Sequence, residues 1–279
     1  MNGSKVFADG VLEARAVLVT GGGTGLGRAA AAELRRCGAE VVICGRREDV
    51  LAATAAELGL QHVAGDVREE EDAERIVRFA LERCGRLDAL VNNAGGQYFT
   101  PAEAIEPKGW QAVTRLNVGG TERMTRLAAE LAFLPAGGGT VVNVTLSPHH
   151  GLAGMTHSSA ARAAVEGYTR ALADEWAERG IAVIAVAAGH FDTASLRKYP
   201  EPVWRAAARS VPLQRLGREQ EHAWLVALCC TPLGAALSGS VVTLDGARDN
   251  WFGPWPPPSL VTDGGEVPTE ARAPKPPGS

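Results

Sequence analysis

Ala16-Val17-Leu18-Val19-Thr20-Gly21-Gly22-Gly23-Thr24-Gly25-Leu26-Gly27 is the stretch on which the reading of this chain turns. The apolar run at its start predicts a buried strand, and the alanine-rich pattern from Arg28 to Cys37 predicts a helix directly after it. Between strand and helix lies a cluster of glycines. Glycine lets the backbone turn tightly and come close to a pyrophosphate, whose charge then rests on the exposed N–H groups of the helix N-terminus. Gly21, Gly23, Thr24, Gly25, Leu26 and Gly27 are therefore the expected cradle of a dinucleotide.

Outward from this turn the pattern repeats. Glu40 to Cys44 reads as a second buried strand, and Arg46 and Arg47 follow it. About 20 residues past the glycines is where an acidic side chain would hold a ribose 2′-hydroxyl, and here the chain offers Gly45 and two cations instead. A guanidinium matches a 2′-phosphate bidentately, so Arg46 and Arg47 favour NADP(H) over NAD(H). Further strands are expected at 62–67, 87–91, 140–144, 181–187 and 240–244, with helices at 48–58, 69–83, 107–134 and 159–179. Strands alternating with helices imply an α/β, Rossmann-type doubly wound fold: a mainly parallel sheet with helices on both faces. One domain over residues 1–250 is expected. Past it, 251–279 is proline-rich; Trp251, Phe252 and Trp255 are expected to pack on the domain or a neighbouring subunit, and 271–279 has a disordered composition.

Composition narrows the function. The chain of 279 residues carries a net charge of −4, which leaves no electrostatic footprint for nucleic acid or an anionic membrane. No apolar run reaches the roughly 18 residues of a membrane span. Cys37, Cys44, Cys84, Cys229 and Cys230 are scattered and read as reduced thiols in a cytoplasmic protein. No metal site is expected. His149, His150 and His157 are the only grouped imidazoles, adjacent ligands are awkward geometry, and no carboxylate accompanies them in sequence.

Over about residues 12–250 the chain resembles the short-chain dehydrogenase/reductase family. The matches are TGxxxGxG at Thr20–Gly27, an acidic residue at Asp66-Val67, NNAG at Asn92–Gly95, Asn117 in the central helix, and Gly189 to Thr193 after a late strand. The resemblance implies that Gly21, Gly25, Leu26 and Gly27 hold the pyrophosphate and that Asp66 and Val67 contact the adenine. It also implies that Asn93, Ala94 and Gly95 line the nicotinamide side, that Gly189 and Thr193 lie at the carboxamide, and that Asn117 positions a water. A narrower resemblance, through Asn92–Gln97, Pro101–Glu103, Lys108–Trp110, His157–Ala163 and Pro212–Gly217, is to the subgroup of peroxisomal trans-2-enoyl-CoA reductase and bacterial citronellol dehydrogenases.

The chain departs from the family at its YxxxK pair, where it has Ser158 and Arg162. One helical turn places such a pair on one face, and the lysine charge lets a phenol act near neutral pH. Arg162 cannot exchange protons but can bind a ribose and supply positive potential. Ser158 is a poor acid, yet its hydroxyl, with that of Thr145, can donate to a carbonyl or enolate oxygen. Conjugate reduction asks less of such a site than alcohol oxidation does. The expected function is thus NADP(H)-dependent reduction of an α,β-unsaturated carbonyl or acyl thioester, with Tyr98 as a further candidate proton donor. A ketoreductase or alcohol dehydrogenase with a different acid stays open, as does a lyase, isomerase or cyclase on the same fold. The basic segment 193–218 suits an acyl-CoA or carrier-protein phosphate or is a wet lid helix. A homodimer or homotetramer is expected, with Met124, Leu127 and Leu131 on one helix and Val165, Leu172 and Trp176 on another buried across a two-fold axis.

Overall fold

In the computed structural model, which describes residues 6–198 and 201–250, strands alternate with helices throughout. The strands are β1 (Ala16–Thr20), β2 (Glu40–Gly45), β3 (Gln61–Ala64), β4 (Ala89–Asn92), β5 (Gly139–Leu146), β6 (Ile181–Ala188) and β7 (Val241–Leu244). They form one parallel sheet in the order β3-β2-β1-β4-β5-β6-β7, with Leu18 opposite both Val42 and Leu90. The order reverses beside β1, which opens a crevice at the carboxyl ends of the strands.

Burial on both faces explains the strand composition. All of β1 and β6 is buried, so period-two alternation is absent and both read as continuous apolar runs. On one face α1 (Gly25–Arg36) packs with Leu34 and Ala31 against Val17, Val19 and Ile43. α2 (Glu48–Leu58) joins the same core. On the other face α3 (Glu70–Cys84) brings Ile76 and Val77 against Leu18 and Val42. Each such aliphatic side chain contributes about 1.5–3 kcal/mol on burial.

The long central helix is not regular. It runs as α4 (Pro107–Thr114), a π-helical turn (Arg115–Gly120), α5 (Thr121–Ala128), a second π turn (Ala129–Phe133) and α6 (Leu134–Ala136). The first widening carries Asn117 and the Gly119-Gly120 pair, and Thr121 Oγ1 donates back to the Asn117 carbonyl at 2.9 Å. The helix after β5, α7 (Thr156–Trp176), starts three residues before its expected Ser159 and is followed by a short 3-10 turn. α8 (Glu201–Arg209) and α9 (Glu219–Cys229) precede β7.

Two expectations need correction. Met124, Leu127, Val165 and Leu172, expected at a subunit interface, are buried within the single chain, where all but Val165 belong to the core under α5 and α7; Leu131 and Trp176 pack against its edge. Met124, Leu127, Val165 and Leu172 thus do not form a free apolar face, while Leu131 and Trp176 stay half-buried. The basic lid is also largely neutralised: Arg197 pairs with Asp192, Arg205 with Glu201, and Arg215 and Arg218 both with Glu221. The expected packing of Trp251, Phe252 and Trp255 lies outside the described residues. Among the described residues no helix is long and apolar enough to cross a membrane.

Candidate active site

A cleft of ≈ 660 Å³ opens where the sheet order reverses, lined by the glycine turn, the ends of β2, β4 and β5, and the segment after β6. The turn is built for close approach. Gly21 has φ +65°, and a Cβ at Gly27 would lie 2.4 Å from both the Gly21 carbonyl oxygen and Asn93 Nδ2. Thr24 caps α1 without a side-chain hydrogen bond, and no acid occupies the first turn. The leading N–H groups of α1 thus have no side-chain acceptor, which is the arrangement an anionic pyrophosphate requires.

Thr20, at the end of β1, was missed as a functional residue. Its Oγ1 accepts from the backbone N–H groups of Asn93 and Ala94 at 3.0 and 2.9 Å, while Asn93 Nδ2 donates to the Thr20 carbonyl at 3.0 Å. The hydroxyl therefore locks the loop after β4 to the glycine turn. Gly45, Arg46 and Arg47 line the end of the cleft at β2, and neither arginine forms a salt bridge among the described residues. Asp66 and Val67 lie there too. The Arg68 guanidinium bonded to Asp66 holds that carboxyl below the usual carboxylate range.

At the opposite end Gly95 packs on Arg162, for a Cβ there would meet Arg162 Nη2 at 2.2 Å and Asn117 Oδ1 at 2.8 Å. Arg162 Nη1 donates to the Val144 carbonyl at 2.8 Å, and no carboxylate pairs with the guanidinium among the described residues. Burial pushes its pKa down to about 10, so it stays cationic at neutral pH. Asn117 is fully buried; it donates to the carbonyls of Gly96 and Val113 at 2.8 Å each and accepts from Gly96 N–H. Its side chain pins the loop after β4. Gly189 and Thr193 complete this wall, with Thr193 Oγ1 accepting from Leu196 N–H at 3.2 Å.

Ser158 and Tyr98 are not on the cleft wall. Ser158 is fully buried in the first turn of α7 and donates to Gln97 Oε1 at 2.7 Å. With its oxygen so engaged, the amide of Gln97, which does line the cleft, keeps both N–H groups for an acceptor. Sequence offered only its position directly after the NNAGG run as a signal. Tyr98 turns toward Gly109 and packs edge-on against His157, with ring centroids 4.5 Å apart. Thr145 does line the cleft, and its hydroxyl donates to Glu166 Oε1 at 2.9 Å. Leu146, Leu152, Met155 and Phe191 make the rest of that end apolar.

Comparison with known proteins agrees with this geometry. Residues 15–203 match the family model described as short chain dehydrogenase. A probable 2,4-dienoyl-CoA reductase, (2E)-enoyl-CoA-producing, from Bacillus subtilis is 36% identical over 88% of this chain and 100% of its own length. A peroxisomal 2,4-dienoyl-CoA reductase, (3E)-enoyl-CoA-producing, from Arabidopsis thaliana is 32% identical over 86% of each chain. Among solved structures, a citronellol catabolism dehydrogenase from Pseudomonas aeruginosa is 36% identical, with a TM-score of 0.78 over 88% of this chain and 98% of that one.

Proposed function

Since this chain belongs to the short chain dehydrogenase family, an oxidoreductase family using a nicotinamide cofactor, we propose that it reduces a conjugated C=C bond of an unsaturated acyl-CoA with NADPH. The observation that carries this reading is the donor set at the nicotinamide end. Gln97 and Thr145 present an amide and a hydroxyl, Arg162 presents a fixed positive charge, and the position of the family's phenol holds Ser158, covered by Gln97. Such a set stabilises negative charge on a carbonyl oxygen and lacks the family's phenol.

The residues fit the cofactor. The glycine turn and the N-terminus of α1 would hold its pyrophosphate, Asp66 and Val67 its adenine, and Arg46 and Arg47 its 2′-phosphate. Arg162 would bind the ribose, with Asn93, Ala94, Gly95, Gly189 and Thr193 around the nicotinamide. When bound, the reduced cofactor supplies hydride. Arg162 and the loop pinned by Asn117 orient the reacting end, the apolar patch of Leu146, Leu152 and Met155 receives the acyl chain, and Gln97 holds the thioester oxygen. Charge builds on that oxygen as the conjugated carbon is reduced, and the Gln97 amide N–H groups meet it. Lys198, which lines the cleft, and Arg209 form no salt bridge among the described residues and are the lid cations left for a phosphate of coenzyme A.

The test is a panel assay in which purified protein receives NADPH with 2,4-dienoyl-CoA, 2-enoyl-CoA, ketone or alcohol substrates. Loss of reduced-nicotinamide absorbance with the thioesters, and the matching saturated bond by mass spectrometry, supports the reading. Turnover confined to ketones or alcohols, or product formed without NADPH consumption, refutes it.

A further inference from the structure

The histidine loop after β5 belongs to a chain of polar groups that sequence did not reveal. His149 was read as lacking carboxylate neighbours, but folding brings two. Its Nε2 lies 3.1 Å from Glu166 Oε1, and its Nδ1 lies 2.5 Å from Asp249 Oδ2. Glu166 projects from α7 and is only 6% exposed, whereas the His149 side chain is 30% exposed. The oxygen that accepts from His149 is the one that accepts from Thr145 Oγ1. One carboxylate atom thus joins a cleft-lining hydroxyl to a ring that reaches solvent.

The protonation of this chain follows from its geometry. A neutral imidazole has one donor and one acceptor nitrogen, and here both nitrogens face carboxylate oxygens. His149 is therefore an imidazolium between Glu166 and Asp249. Asp249 is itself positioned, its backbone N–H donating to Asp245 Oδ2 at 2.7 Å and Asp245 accepting from Ser147 Oγ. His150 Nδ1 stands 3.8 Å from the other oxygen of Asp249. The three acidic and basic groups do not converge on a common point, since the carboxylates flank opposite ring nitrogens, and they read as a line.

We propose that Thr145, Glu166 and His149 form a proton relay that delivers solvent protons to the substrate in the cleft, in place of the family's tyrosine–lysine pair. This rests on the reductase reading above. When the conjugated carbon accepts hydride, the C=C π pair moves to the thioester oxygen. The Thr145 hydroxyl turns from Glu166 to that oxygen and gives it a proton. The enol so formed becomes the thioester as its carbon takes up a solvent proton and its O–H proton is released to water, which leaves the net uptake at one proton. Thr145 regains a proton from Glu166 Oε1, and Glu166 takes its proton from His149 Nε2. The now neutral His149 is reprotonated by water at the surface. One proton is consumed, and no electrons pass along the chain. Thr145 is the catalytic member because, of the three, it alone lines the cleft; Glu166 and His149 act through it, and Asp249 positions the ring.

The sign of the pH dependence is fixed by the groups facing the ring: Glu166 from α7, Asp249 from the segment after β7, and His150 beside Asp249. Burial alone would lower the His149 pKa, but hydrogen bonding to Asp249 and the charges of Glu166 and Asp249 outweigh it and raise the pKa. A relay that must start protonated then loses rate as pH rises through this raised value.

Two measurements on the full chain test the relay. The first needs no substrate: NMR titration of His149 in the wild type and in Glu166→Gln. The relay requires a pKa above the ordinary histidine value that falls in the variant; a His149 that titrates normally and ignores Glu166→Gln overturns it. The second is the pH–rate profile with NADPH and a dienoyl-CoA. His149→Gln should lose about 10²-fold in kcat and the alkaline limb, at the scale of lost general acid catalysis. Thr145→Val should lose at least as much and Thr145→Ser should recover most of it, while NADPH affinity by fluorescence stays that of the wild type in all three. Retention of the alkaline limb in His149→Gln overturns the relay. A wild type that reduces no thioester refutes the reductase reading instead, and the titration still decides whether the chain is protonically coupled.

Discussion

Replacing Arg162 with methionine should stabilise the free protein while weakening its hold on the cofactor. The guanidinium lies where burial lowers its pKa from 12.5 to about 10. Each pKa unit corresponds to about 1.4 kcal/mol, so holding the charge costs up to about 3 kcal/mol. The side chain is partly open to the cleft, and solvent there reduces the figure to about 2 kcal/mol. Arg162→Met keeps the aliphatic stem and removes this cost. It also removes the bond to the Val144 carbonyl, a loss of about 1 kcal/mol. The net gain of about 1 kcal/mol corresponds to roughly 2–4 °C in Tm for a domain of this size. The linkage has the matching sign: the folded pKa is depressed, so stability rises only above the folded value, and the cost is fully present at pH 7. Differential scanning fluorimetry with and without saturating NADPH measures both sides. The variant should melt higher when free and gain less from NADPH than the wild type does. A lower Tm without cofactor would refute the argument that the charge is a cost, and an undiminished cofactor-induced shift would refute the placement of Arg162 at the ribose.

Three further outcomes follow from single features. Gly27→Ala places a Cβ 2.4 Å from the Gly21 carbonyl oxygen and Asn93 Nδ2, so it should abolish dinucleotide binding by calorimetry and cost about 1–3 kcal/mol of stability from overpacking. Arg46→Ala and Arg47→Ala should each weaken NADPH about tenfold, the value of one charge-assisted hydrogen bond, and leave NADH affinity unaltered; equal losses for both cofactors would remove the assignment of the 2′-phosphate site. His222 on α9 is fully buried against Phe191, has no hydrogen-bond partner on either nitrogen among the described residues, and is pushed down to about 4 by burial. Its folded pKa lies below the unfolded value, so the unfolded chain takes up the proton first. About 3 kcal/mol should be lost as pH falls from 6.5 toward 4, and urea melts of His222→Leu should show a shallower slope over that window.

How much of the site was legible depended on the range of the contact that makes it. The glycine turn, Arg46-Arg47, Asp66-Val67 and Asn93–Gly95 are local in sequence, each at the end of a strand whose apolar run is unmistakable, and all line the cleft. Arg162 was legible because one helical turn fixes its face relative to Ser158. Where the Ser158 hydroxyl turns was not legible, because it is decided by Gln97, a loop residue 61 positions away. The direction of Tyr98 was hidden for a similar reason: a ring directly after the loop that follows β4 can turn either way, and the space above Gly109 and the face of His157 decided which.

The subunit-interface expectation failed on the same ground. Met124 and Leu172 lie on a helical apolar stripe, and a stripe states only that a face is covered; here the chain's own sheet covers it. The relay is the extreme case, for Asp249 reaches His149 across 100 positions and Glu166 reaches Thr145 across 21. What the sequence by itself determined was the sheet, its doubly wound order and the glycine turn that lines the cleft, because strand burial, helix periodicity and a glycine turn are set within a few residues of the chain. Which hydroxyl lines the cleft and which groups stand behind it only the tertiary structure decided, because a hydrogen bond a few ångströms long depends on the packing of every element between its two ends.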